Sequence, residues 1–112
     1  MFDTHVLDET LKVQREKRNR ERVDLLDRVA RTLKAIRQEY RIQEAYIVGS
    51  LLADYRWHRS SDIDVAVGGC SGEVLEVMKE LEETTGKDVD VIDLDRHPFP
   101  DAFRSKGLRI YG

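Results

Sequence analysis

The sequence has few of the residues that form disulfides, zinc clusters or membrane spans. It contains 112 residues with one cysteine and two prolines, and it has no apolar run near the roughly 18 residues of a membrane-spanning helix. The single cysteine, Cys70, excludes an internal disulfide and a cysteine-based zinc site. No signal-like apolar segment stands at the N-terminus, so we expect a cytoplasmic protein.

A global charge bias typical of proteins that bind duplex nucleic acid is also missing. The net charge is −3 and the isoelectric point is about 5.6, although 37% of the residues are charged. Both signs are mixed along the chain and 40% of the residues are hydrophobic, which predicts a folded domain. The length favours one such domain, and any site for a polyanion has to be local.

The N-terminal segment, residues 1–22, is rich in charged helix-forming residues and contains no glycine or proline. An apolar stripe that began at Leu7 and Leu11 would continue on Gln14 and Arg18, so the segment has no core-facing side. We interpret residues 1–22 as a solvated helical arm. A patch that binds RNA or a protein partner, or a contact between copies of the chain, stays open as an alternative.

From Val23 the pattern becomes that of an amphipathic helix packed on a core. Its inner side is apolar and comprises Leu26, Val29, Ala30, Leu33, Ile36 and Tyr40. Charged residues occupy the other side. The sequence does not decide whether this helix continues the arm or is separated from it by a break near Asn19. We assign residues 23–112 to the folded domain.

The rest of the chain alternates between strand and helix patterns. Residues 45–48, 63–67, 88–94 and 108–111 have the apolar or alternating patterns of strands, and residues 50–55, 71–85 and 101–106 have helical character. In the second of these helices, Ser71 is the predicted N-cap, Leu75 is among the inner residues, and Gly86 ends the helix. The order predicts an α+β fold, in which a small mixed sheet carries helices packed on it and a long helix precedes it.

Two carboxylates one residue apart provide the first indication of chemistry. In a strand, Asp62 and Asp64 lie on one face while Ile63 lies on the other. Such a pair can share one or two Mg²⁺ ions, and Asp90 in the next strand is our candidate for the third carboxylate. Two metal ions held in this way suit in-line displacement at phosphorus.

A small-residue turn follows the first strand. Gly49 permits a close backbone approach, and Ser50 offers a hydroxyl and a backbone N–H at a helix start, where phosphate is favoured. Taken alone, a Gly-Ser pair usually marks a turn and two acids usually mark a solvated strand face. In this order and between these strands, they predict a site for phosphate and metal.

These residues carry a resemblance to a known family. Gly49-Ser50, a gap of eleven residues and then Asp62-Ile63-Asp64 resemble the signature of the DNA polymerase β-like nucleotidyltransferase superfamily, in particular its minimal nucleotidyltransferase branch. The Val-Asp-Val around Asp90 and the closing residues 107–111 are similar as well. The resemblance covers about residues 23–112.

The resemblance implies a nucleotidyltransferase fold and a set of roles. Asp62, Asp64 and Asp90 would be catalytic and would bind the metal, with two Mg²⁺ ions expected. Gly49 and Ser50 would hold the phosphates of ATP. Small members of this branch act as antitoxins that transfer AMP from ATP to a tyrosine of a HEPN-domain ribonuclease toxin, so the resemblance implies the same partner and reaction here.

The chain also departs from the family pattern. Members commonly carry a basic residue directly after Gly-Ser, where this chain has Leu51, and a glycine shortly afterwards, where it has Asp54-Tyr55. Arg56 and Arg59 are our candidates for the missing positive charge at the nucleotide. The departures leave open a catalytically inactive antitoxin that neutralises its partner by binding alone.

Overall fold

Helices and strands follow the predicted order except between the first two strands, where a 3₁₀ turn over Gly49–Leu52 replaces the helix predicted over residues 50–55. The computed structural model describes residues 4–112, so residues 1–3 of the predicted arm lie outside the described residues. The elements are α1 (Thr4–Ala35), β1 (Glu44–Val48), β2 (Ile63–Gly68), α2 (Val74–Thr85), β3 (Val89–Asp93), α3 (Pro100–Lys106) and β4 (Leu108–Tyr111). Short 3₁₀ turns occupy Gly49–Leu52 and Ser71–Glu73. The predicted α+β fold with a long N-terminal helix is confirmed.

The strands form one four-stranded mixed sheet in the order β3-β2-β1-β4. The central strand β1 pairs antiparallel with both β2 and β4, whereas β2 and β3 are parallel. A parallel pair needs a crossover connection, which α2 provides here. β3 and β4 are therefore the edge strands.

The first helix runs without a break through Asn19, which answers the question that the sequence left open. Its second half packs on the sheet through side chains at helical spacing. The buried ones among them are Leu25, Val29, Leu33 and Ile36. Its first half lies outside this core, and the apolar side chains of Val6, Leu7, Leu11 and Val13 are exposed there.

The second helix packs on the same face of the sheet, in a phase that differs from the predicted one. Val77 and Leu81 are fully buried, while Leu75 is 64% exposed, so the prediction for Leu75 was wrong. A 3₁₀ turn precedes the helix, and the hydroxyl of Ser71 donates to Asp93 Oδ1 at 3.2 Å instead of capping it. Gly86 ends the helix in the left-handed conformation, as predicted.

The opposite face of the sheet is covered only in part. Phe103 of α3 packs there against a small buried cluster that contains Tyr46, Val48, Ala66 and Leu94. The sheet face beside the start of β2 is left accessible, and the site described below lies there. Among residues 4–112, no helix is both long enough and apolar enough to cross a membrane.

Candidate active site

Strand pairing places the predicted carboxylates next to one another. Asp64 of β2 lies beside Val48, the last residue of β1, and beside Asp90 of β3. The alternate residues of β2 and β3 are in the core under α1 and α2, so Asp64 and Asp90 belong to the opposite face. Asp62 stands one residue before β2 and is exposed. The three acids thus lie together at the end of the sheet where β2 begins, and we call this group the acidic edge.

The negative charges of these three carboxylates act on one another. Partial burial raises the pKa of Asp64, and the negative charges of Asp90 and Asp62, with a side-chain hydrogen bond to Asp90, raise it further. Among the side chains of residues 6–112, no basic group forms an ion pair with any of the three acids. Neighbouring carboxylates that have no ion-pair partner favour the binding of a cation.

Gly49 fits closely over this cluster. Its φ angle is +79°, and a Cβ atom added to it would lie 2.4 Å from Oδ2 of Asp64. Such a φ angle favours glycine, and no side chain fits in the remaining space. The 3₁₀ turn Gly49–Leu52 begins at this glycine, so Ser50 is the second residue of the turn.

A cavity of about 470 Å³ opens beside the Gly49 turn and Asp64. Its walls come from the β1 end, the following loop, β3 and α3. The lining residues are Val48, Gly49, Leu52, Ala53, Arg56, Asp64, Ile92, Ala102, Phe103 and Lys106. The mixture of apolar walls, two cations and a carboxylate suits a phosphorylated ligand that also has an apolar or aromatic part.

The structure brings together most of the predicted site residues and adds two that the sequence did not indicate. Arg56, one of the two candidates for positive charge, lines the cavity with Gly49 and Asp64. Phe103 and Lys106 reach the cavity from α3, far along the chain. Their only sequence signal is that a short helix follows β3 directly.

Arg59 is not among the cavity residues. Its guanidinium donates to both carboxylate oxygens of Glu21 on α1, at 2.8 and 2.6 Å. Leu51, at the position where relatives commonly carry a basic residue, is 0% exposed and part of the core. The positive charge at the cavity therefore comes from Arg56 and Lys106.

The three carboxylates suit a metal ion by their chemistry, although they do not stand in the arrangement of a formed metal site. Among residues 4–112, no group of three histidine, cysteine or acidic side chains stands in a metal-binding arrangement. Asp64 and Asp90 are paired on neighbouring strands, and the charges of Asp90 and Asp62 both raise the pKa of Asp64. Their carboxylate oxygens are the donor type that Mg²⁺ prefers, so the chemistry of the three residues fits such an ion.

Comparisons with known proteins agree with this geometry. Solved structures of toxin–antitoxin complexes are similar to this chain. One, described as a toxin–antitoxin with AMP-PNP, has 23% sequence identity and a TM-score of 0.61, and the match covers 74% of this chain and 73% of that chain. The toxin–antitoxin MntA-HepT has 20% identity and a TM-score of 0.55, and the match covers 75% of this chain and 70% of that chain. An MntA-HpeT mutant with two aspartates changed to glutamate has 21% identity and a TM-score of 0.59, and the match covers 74% of this chain and 72% of that chain.

These likenesses show a shared fold. No curated protein matches the chain. A family model described as "Polymerase beta, Nucleotidyltransferase" matches residues 31–111, which include the Gly49 turn and all three carboxylates. The chain belongs to this polymerase beta nucleotidyltransferase family.

Proposed function

We propose that this protein is a Mg²⁺-dependent adenylyltransferase that serves as an antitoxin in the cytoplasm. It would transfer AMP from ATP to a hydroxyl, a tyrosine, of a HEPN-domain toxin. The observation that carries the proposal is the pairing of Asp64 with Asp90 on neighbouring strands, beside the Gly49 turn and its cavity. Toxin–antitoxin complexes with the same fold, one of them with AMP-PNP, support it.

The three carboxylates are assigned to metal binding. Asp64 is held in place by its strand, and Asp62 and Asp90 flank it along the same edge of the sheet. Bound Mg²⁺, as one ion or two, would supply positive charge that offsets the charge developing on the transferred phosphate.

The cavity is assigned to ATP. The backbone at Gly49 and Ser50 would face the phosphates, because no side chain intervenes where the chain passes Asp64. Arg56 and Lys106 add positive charge at the same cavity. Its apolar wall, which includes Phe103, offers a surface for the adenine ring.

Asp90 is assigned to the proton of the acceptor. It is exposed and lies on an edge strand, so a hydroxyl of a partner protein can reach it. The acceptor oxygen forms a bond to the α-phosphorus of ATP, and the bond from that phosphorus to the bridging oxygen breaks. The hydroxyl proton passes to the carboxylate of Asp90, and pyrophosphate leaves.

A second candidate function is neutralisation by binding alone. The observations that favour it are the burial of Leu51 in the core and the engagement of Arg59 by Glu21, because neither position supplies a free positive charge to the cavity. An antitoxin of this kind would contact its partner without transferring AMP.

The test is transfer of label from ATP, labelled at the α-phosphate, to the co-encoded toxin in the presence of Mg²⁺. The wild-type chain should label the toxin, and the variant Asp62→Ala/Asp64→Ala should not. The matched control is Asp24→Ala/Glu83→Ala, which removes two exposed acids far along the chain from the site and should label as the wild type does.

The same variants separate the two candidate functions in cells that express the toxin. If Asp62→Ala/Asp64→Ala protects these cells as well as the wild type does, binding alone is the working activity. Equal labelling by this variant in the transfer assay would contradict the assignment of the site.

A further inference from the structure

We propose that the first half of α1 and the loop after β1 form a groove that binds the phosphate backbone of a nucleic acid. The groove is lined by Gln14, Lys17, Arg18, His58 and Arg59, and we call it the basic groove. It shares no lining residue with the cavity at Asp64. The inference does not depend on the proposed function.

Helical spacing and a pinned loop create the groove. Gln14, Lys17 and Arg18 are separated by three and four residues, so they lie on one face of α1. His58 and Arg59 form the opposite wall, and the space between the walls is about 380 Å³.

Two contacts hold the loop against the helix. Arg59 donates to both carboxylate oxygens of Glu21, and Arg22 donates to the carbonyl oxygen of Leu51 at 2.9 Å. Lys87 donates in addition to the carbonyl oxygen of Arg59. The walls are therefore preformed, which lowers the entropic cost of binding a ligand.

The groove concentrates positive charge in an acidic protein. Residues 12–22 contain six basic and two acidic residues, in a chain whose net charge is −3. The lining includes three basic side chains and no carboxylate. Glu21 forms an ion pair with Arg59, and the hydrogen bond from Arg59, with Lys17 and Lys87 adding to the effect, holds the pKa of Glu21 below the ordinary value, so Glu21 is charged and offsets Arg59. The excess positive charge of the groove therefore comes from Lys17 and Arg18. A local positive potential of this kind attracts anions.

The shape and lining favour a nucleic-acid backbone over an acidic protein surface. A protein interface normally buries apolar or aromatic side chains at its centre, and this lining has no aliphatic side chain. A groove with basic walls is how proteins follow the backbone of a single strand. The part of α1 that forms one wall lies before residue 31, where the family match begins.

The test is fluorescence anisotropy of a short labelled single-stranded RNA with the full-length chain, titrated at several salt concentrations. The key variant is Lys17→Glu/Arg18→Glu. The matched control is Arg31→Glu/Lys79→Glu, which makes the same change of charge at exposed positions outside the groove. Lys17, Arg31 and Lys79 are exposed and Arg18 is partly buried, and circular dichroism checks that each variant is folded.

We expect the groove variant to bind the RNA at least tenfold more weakly and the control to bind as the wild type does. Each phosphate contact with a single strand contributes about 0.7 to the slope of log K against log salt, so the slope should fall by about 1.4 in the groove variant. Equal weakening in both variants, or no binding by the wild type, would overturn the proposal. Displacement of the RNA by ATP at the same phosphate concentration would also overturn the proposal, because it would show that any phosphate binds there. So would a groove variant that still binds the RNA but no longer binds the protein partner.

Discussion

At the scale of single residues, Gly49 and Asp64 constrain each other. The backbone at Gly49 has a φ angle of +79° and passes so near Asp64 that a Cβ atom would lie 2.4 Å from Oδ2. The carboxylate of Asp64 is in turn partly buried beneath this turn and beside Asp90. A change at either residue therefore alters the geometry of the whole acidic edge.

Gly49→Ala should lower stability and abolish nucleotide binding. The left-handed backbone alone costs an L-residue about 1–2 kcal/mol, and the added methyl group displaces Asp64. Gly72→Ala is the matched control, since nothing lies within 4 Å of a Cβ atom there and φ is not positive. Urea unfolding measures both variants, and similar losses of stability would contradict the account.

Asp64→Asn should raise the melting temperature by a few degrees when no divalent cation is present. The substitution removes a partly buried charge that faces Asp90 and Asp62, and functional sites commonly carry such a cost in stability. Added Mg²⁺ should reverse the order, because an ion that binds only the native wild type stabilises it by mass action. A variant less stable than the wild type without Mg²⁺ would show that the carboxylate has a structural role instead.

At the scale of secondary-structure elements, the short helix α3 completes the cavity, and an ion pair joins it to the sheet in addition to the packing of Phe103. Arg104 of α3 donates to both carboxylate oxygens of Glu44 on β1, at 2.7 and 3.1 Å. The neighbouring residues Phe103 and Lys106 line the cavity. The contact with Glu44 thus couples the sheet to the nucleotide site.

Glu44→Gln should lower the melting temperature at neutral pH by a few degrees. The hydrogen bond from Arg104 holds the pKa of Glu44 below its ordinary 4.5, so this carboxylate stabilises the fold above that pH. The contribution is lost as the pH falls through the lowered pKa, and the gap between variant and wild type should close in acid. Glu83→Gln, at an exposed position, is the control and should show no gap at either pH.

The long helix α1 has two halves with different energetic roles. Leu33 is 0% exposed in the core, whereas Leu11 is 49% exposed in the arm. Leu33→Ala should therefore cost about 2–5 kcal/mol of unfolding free energy, and Leu11→Ala should change it by less than about 0.5 kcal/mol. Chemical denaturation compares the two, and equal costs would mean that the arm is packed as the core is.

The elements that could be predicted from the sequence are those governed by local periodicity. Alternation placed Asp64 and Asp90 each on the side of its own strand that faces away from the apolar residues, because side chains in a strand alternate between its two faces. The pairing of the two strands then brings the two acids side by side. The phase of α2 was mispredicted at Leu75, since a 3₁₀ turn ahead of a helix leaves no clear periodic signal. The positions of Arg59 and Lys106 were out of reach, because each depends on contact with a distant element.

At the scale of the whole molecule, the two sites that we propose draw on different parts of the chain. The family match covers residues 31–111, and the acidic edge with its cavity lies wholly inside it. The basic groove uses the arm as one wall and the loop between β1 and β2 as the other. That loop also contributes Arg56 to the nucleotide cavity, so one connection serves both sites. The division of the chain at residue 22 stays a prediction.

The central claim is that the acidic edge and its cavity bind a nucleotide together with Mg²⁺. Isothermal titration of the full-length protein with AMP-PNP, a non-hydrolysable ATP analogue, tests it without the toxin. We predict that the wild type and Gly72→Ala bind only when Mg²⁺ is present, and that Asp64→Asn binds at least tenfold more weakly. Binding that is the same without Mg²⁺ and in Asp64→Asn, or no binding by the wild type, would contradict the account.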